Sequence, residues 1–109
     1  MKNNIKLIFM TNASTWNSKI DKEAKNFQWF LLCNGVHYNE ENMDAGLNIF
    51  NSTMREISSI HHVPLLDLAK IIPKSTEYFY DDCHFNIKGA QFTGKKLADF
   101  MTEQNLIQQ

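Results

Sequence analysis

The sequence predicts an α/β fold in the order β-α-α-β-α, on three observations. Residues 5–10, Ile-Lys-Leu-Ile-Phe-Met, form a nearly continuous apolar run, which suits a strand buried on both faces of a parallel sheet. Val63-Pro64-Leu65-Leu66-Asp67-Leu68 is a second such run. The stretch between them holds helical periodicity, and a long helical crossover is the connection that parallel strands need. Two parallel strands cannot by themselves cover both faces and both edges, so the pattern reads as part of a larger sheet.

Taken in order, the first strand gives way to Thr11, Asn12, Ala13, Ser14 and Thr15, which are small and mostly polar. Loops after the C-terminal ends of parallel strands are where α/β proteins place binding chemistry. Asn12 and Ser14 are therefore candidate substrate contacts, and Ser14 is also a candidate for an unfamiliar nucleophile. Ser18 and Asp21 have the spacing of a helix start. Trp16, Ile20, Ala24, Phe27 and Leu31 follow at helical intervals, which predicts a helix over about 19–32. Trp29 and Phe30 lie off that stripe and either cover a loop or face a segment outside this chain.

Gly35 marks a break. Asn39 is placed to cap a helix over 40–61, with Glu40 and Glu41 in the first turn, where acids suit the helix dipole. Met43, Leu47, Phe50, Met54 and Ile57 trace one face, and His61 falls at the C-terminal end of it. Pro64 stands near the start of the second strand, where a missing donor is tolerated. The last helix begins near Asn86, with Ile87, Ala90, Gly94, Leu97, Ala98 and Met101 as its expected buried face.

At 109 residues the chain makes one domain, 1–109. Its 11 basic and 12 acidic residues are mixed along the sequence. No basic stretch suggests a nucleic-acid partner. Cys33 and Cys83 are two thiols without a Cys-x-x-Cys pair, so a reduced, cytoplasmic setting is the default expectation. The run at 5–10 is too short for a signal sequence or a membrane span. An export signal, if there is one, lies outside this stretch.

The chemistry is concentrated in Tyr78-Phe79-Tyr80-Asp81-Asp82-Cys83-His84-Phe85-Asn86-Ile87-Lys88-Gly89. An Asp three residues before a His, in a loop feeding a helix, can set its carboxylate beside the imidazole. There it fixes the tautomer and stabilises the imidazolium formed during proton transfer. The His can then act as general base toward a hydroxyl. Asp82 is the competing acid. Cys83 and His84 could also be metal ligands with His37, His61 or His62, but no second pair has zinc-site spacing, and no metal is expected.

The string YDDCHFNIKGA, preceded by VPLLDLAKIIPKSTEYF and followed by an amphipathic helix, resembles the closing motif of SGNH/GDSL-type hydrolases. The resemblance covers about residues 5–105 and is sharpest over 63–101. It implies the C-terminal part of a three-layer α/β/α sandwich of flavodoxin-like topology. It also implies Asp81 as the triad acid, His84 as the base, and ester hydrolysis through a serine without metal or organic cofactor. The family's Gly-Asp-Ser block and its Gly and Gly-x-Asn-Asp blocks have no counterpart here. The expectation is therefore a fragment supplying Asp and His, with an N-terminal half or a second copy as partner. The alternative is a non-catalytic interaction module built on the uncovered edge of the first strand and on Trp29 and Phe30.

Overall fold

Two short strands pair in parallel, and the loop carrying Asp81 and His84 leads into the last helix. The structure is a computed structural model and describes residues 5–17, 19–20, 22–29 and 32–107. The elements in chain order are β1 (Phe9–Met10), α1 (Lys22–Asn26), β2 (Leu32–Cys33), β3 (Val36–His37), α2 (Glu40–His61), β4 (Leu65–Leu66), α3 (Leu68–Ile71) and α4 (Ile87–Glu103). The chain is thus a mixed α/β fold. β1 and β4 pair in parallel with Phe9 opposite Leu65 and Met10 opposite Leu66.

The first apolar run is not buried on both faces. Ile5 and Leu7 are about half exposed, and only Phe9 and Met10 form strand. β1 has one strand neighbour among the described residues, and the ladder stops short of Ile5 and Leu7.

The expected helix over 19–32 is also corrected. Among the described residues of that span only Lys22–Asn26 is helical, and a hairpin follows, with Leu32 opposite His37 and Cys33 opposite Val36. The reason is the Asn34-Gly35 pair. Both residues have positive φ, 51° and 75°, as the tight two-residue turn of a hairpin requires. Ser18, Asp21, Phe30 and Leu31 lie outside the described residues. The order β-α-α-β-α is accordingly interrupted by this hairpin and by the short α3.

α2 runs over the expected 40–61. Asn39 caps it, its side chain accepting from the Asn42 N–H at 2.8 Å, and His62 closes it in a left-handed conformation. Its inward face is not the expected apolar stripe. Asn51 and Ser58 are its buried residues, whereas Phe50 and Ile57 are about half exposed. Phe9, Phe50, Thr53, Met54 and Ile57 line a shallow apolar hollow of about 180 Å³.

α4 begins where the sequence places it, with Asn86 accepting from the Gly89 N–H at 2.9 Å. Its packed face is rotated from the expected one. Ile87 is 81% exposed and Gly94 has open space around it, whereas Phe92 packs on the core. Gly89 is buried because the backbone of Tyr78 passes over it; a Cβ there would lie 2.0 Å from the Tyr78 carbonyl oxygen.

The core is small and sits under this crossing. Leu68, Ile72 and Phe79 are its buried centre, with Ala13, Tyr78, Phe85 and Phe92 against it. No helix among the described residues is long and apolar enough to cross a membrane.

Candidate active site

The loop at 81–84 is the tip of a narrow antiparallel turn. Phe79 and Phe85 form an isolated bridge, the Tyr80 N–H donates to the His84 carbonyl at 3.1 Å, and the Asn86 N–H donates to the Tyr78 carbonyl at 3.0 Å. Phe79 is buried beneath the turn, with its ring 5.1 Å from that of Phe85. The two flanking strands of the turn therefore hold the tip against the core while Tyr80 and His84 face out.

Within the tip, the Asp81 carboxylate receives four donors. Oδ1 accepts from the backbone N–H of Cys83 at 2.9 Å and of His84 at 2.7 Å. Oδ2 lies 2.7 Å from His84 Nδ1 and accepts from Trp29 Nε1 at 3.1 Å. An ionised carboxylate accepts through about four lone-pair sites, so this one is satisfied. Burial alone would raise its pKa. The donations from Cys83, His84 and Trp29 outweigh burial and hold the group below the ordinary carboxylate range.

An acceptor-only carboxylate at Nδ1 requires the proton on that nitrogen. In neutral His84 the free lone pair is then on Nε2. Among the described residues Nε2 has no hydrogen-bond partner, and the His84 side chain is 51% exposed. The arrangement presents a proton acceptor to whatever lies in front of it. Tyr80 and Trp29 flank the ring, with planes within 14° and 7° of the imidazole and centroids at 5.6 and 6.2 Å. Beside Tyr80 lies a hollow of about 320 Å³ lined by Phe27, Thr76, Phe79 and Asn86.

Asp82, the competing acid, points the other way. It is fully buried, its Oδ2 accepts from Trp16 Nε1 at 3.2 Å, and its carbonyl accepts from the Thr15 N–H at 2.9 Å. Asp82 thus fastens this turn to the loop after β1. Cys83 Sγ is 3.5 Å from His84 Nδ1, and its thiol is pushed up to about 11, chiefly by burial and then by the charges of Asp82 and Asp81. Asp81, Cys83 and His84 bring potential metal-ligand atoms within 4.8 Å of one another. His61 ends α2, exposed.

The loop after β1 reaches the turn through Thr15 and Trp16 rather than through Asn12 and Ser14. Asn12 is held by its backbone, its N–H donating to Asn51 Oδ1 at 2.9 Å and its carbonyl accepting from Asn51 Nδ2 at 2.8 Å. Ser14 is 1% exposed, and its Oγ accepts from the Trp16 N–H at 3.3 Å. No hydrogen bond joins a serine to His84 among the described residues. Asn12 and Ser14 instead border a polar hollow of about 150 Å³ with Asn51, Arg55 and Lys74.

Two features escaped the sequence. Trp29 reaches Asp81 from 52 positions away, and no local spacing announces that. Asp67 gathers Arg55 Nε at 2.7 Å, Arg55 Nη2 at 2.9 Å and Thr11 Oγ1 at 2.9 Å, joining α2, the loop after β1 and the start of α3. No family model, curated protein or solved structure matches the chain. A functional reading therefore stands on the fold and on the geometry of this turn.

Proposed function

We propose that the chain is the base-supplying part of an SGNH/GDSL-type ester hydrolase, equivalent to the C-terminal portion of a three-layer α/β/α sandwich. The observation that carries this is the state of His84: Nδ1 held by Asp81 at 2.7 Å, with the side chain half exposed and Nε2 without a hydrogen-bond partner among the described residues. In this reading a serine from a separate segment attacks the ester carbonyl while His84 Nε2 takes its proton. The imidazolium then returns that proton to the leaving alcohol, Asp81 stabilising the charge throughout. The acyl-serine is released by water through the same base. The resemblance of residues 63–101 to the family's closing block supports the assignment, and the missing Gly-Asp-Ser sequence supports a nucleophile supplied from elsewhere.

The test is reconstitution. The chain is purified alone and together with the product of the coding sequence immediately upstream, and a short-chain chromogenic ester is offered to both. Turnover is expected only from the combination, with an upstream Gly-Asp-Ser block, and is expected to vanish in His84→Ala. Turnover by the chain alone that His84→Ala abolishes would place a nucleophile within these residues and overturn the reading.

A second reading is a non-catalytic module that pairs through its apolar surface. It is favoured by the exposure of Ile5 and Leu7 ahead of β1, of Met10 in it, and of Phe50 and Ile57 on α2. Edge strands and contiguous apolar surface invite association. Its signature is a stable dimer in sedimentation equilibrium, and a monomer across micromolar concentrations rejects it.

A further inference from the structure

We propose that Trp29 is a positioning residue for the Asp81–His84 pair; the proposal rests on the reading of that pair as a base and its orienter. Three of the four donors to Asp81 come from the turn itself, from the backbone of Cys83 and from the backbone and ring of His84. These form in any Asp-x-x-His turn of this shape, and they fix Oδ1 more firmly than Oδ2. Oδ2 is the oxygen that holds the imidazole. Trp29 is the one described donor to it from outside the turn, at 3.1 Å.

Trp29 is 55% exposed, and its indole N–H donates to Asp81. Its plane lies within 7° of the imidazole, so one side chain limits both the swing of the carboxylate and the tilt of the ring. The chain delivers Trp29 there through α1. Ala24 is 2% exposed and anchors that helix, and the Phe27 and Gln28 N–H groups donate to the carbonyls of Ala24 and Lys25 as it ends. A donor that immobilises the acceptor of a catalytic imidazole preserves alignment through proton transfer, when a small misplacement is costly.

The experiment follows His84 Nδ1–H by nitrogen-edited NMR in the whole chain, comparing wild type, Trp29→Phe and Asp81→Asn. Trp29→Phe keeps an aromatic ring and removes the N–H. Solvent exchange of Nδ1–H is expected to quicken about tenfold, the scale of losing one hydrogen bond to a charged group. In Asp81→Asn the Trp29 indole N–H resonance is expected to move upfield. Unchanged exchange in Trp29→Phe, with Asp81→Asn exchange faster, overturns the Trp29 assignment and leaves the pair intact. Unchanged exchange in Asp81→Asn overturns the pair itself. If Trp29→Phe loses its dispersed spectrum, the indole resonance in Asp81→Asn decides: movement supports the assignment, and no movement overturns it.

Discussion

Asp81 holds both ends of His84: Oδ1 accepts from its backbone N–H and Oδ2 faces its Nδ1, each at 2.7 Å. One carboxylate therefore fixes where the residue sits and which ring nitrogen carries the proton. Asp81→Asn keeps the shape but can present an N–H where an acceptor is needed. Under the proposed hydrolase function, kcat of the reconstituted pair is expected to fall by about 10,000-fold, the scale of the corresponding change in a serine triad. Steady-state ester hydrolysis checks this, with the fold confirmed by circular dichroism.

Gly89 is placed under the Tyr78 carbonyl, where a methyl group would meet it at 2.0 Å. Backbone must shift to admit one, and the shift passes directly to the 78–86 turn. Gly89→Ala is expected to destabilise the chain by about 1–3 kcal/mol, despite the better helix propensity of alanine. The control is Gly94→Ala, which has open space and is expected to be neutral or stabilising. Urea unfolding of the two variants provides the comparison.

Asn51 is 1% exposed and exchanges two hydrogen bonds with the backbone of Asn12. Asn51→Ala leaves a backbone donor and acceptor without those partners, at an expected cost of about 2–3 kcal/mol. Amide exchange of Asn12 is expected to quicken more than that of α4. Equal acceleration in both places would show global unfolding instead.

Asp67 is held at about 2, chiefly by the donation from Arg55 against the opposing effect of burial, with Thr11 and Lys70 adding to it. Its folded pKa is depressed, so its contribution is fully present above the unfolded value near 3.8. That contribution is lost as pH falls through about 2 and amounts to roughly 2 kcal/mol. Arg55→Met is expected to flatten the decline of stability between about pH 4 and pH 2. Thermal unfolding midpoints across that window test it.

The Cys83 thiol is pushed up to about 11, and the thiolate is the reactive form. Alkylation by iodoacetamide at pH 7.5 is expected to be more than tenfold slower than that of a free cysteine with a pKa of about 8.5. Asp82→Asn, which removes a nearby negative charge, is expected to quicken it. Mass spectrometry of the Cys83 peptide reads both rates.

The long elements and the turn chemistry were legible because their signals are local. Asn39 with Glu40 and Glu41 marks the start of α2, and Asn86 with Gly89 marks that of α4. The Asp-x-x-His spacing places Asp81 on His84 because both backbone and ring reach one carboxylate within a single turn. The hairpin at 32–37 was also written in the sequence, as Asn34-Gly35, but the apolar stripe through Phe27 and Leu31 argued for helix more loudly. The orientation of α2 and α4 was not legible. Periodicity finds an apolar stripe, yet in α2 the buried positions belong to Asn51 and Ser58, which satisfy backbone at Asn12 and Val63. Trp29 and Asp67 take their roles from partners far along the chain, which only the tertiary structure brings near.

Whether Asp81 makes His84 a proton acceptor at Nε2 is read from the ring-nitrogen NMR spectrum of His84 in its neutral form. The proton is expected on Nδ1, with an unprotonated Nε2 resonance and a strong coupling of Nδ1 to its hydrogen. A neutral His84 carrying its proton on Nε2 would contradict it, because that ring has no lone pair left facing the place where a nucleophile must stand.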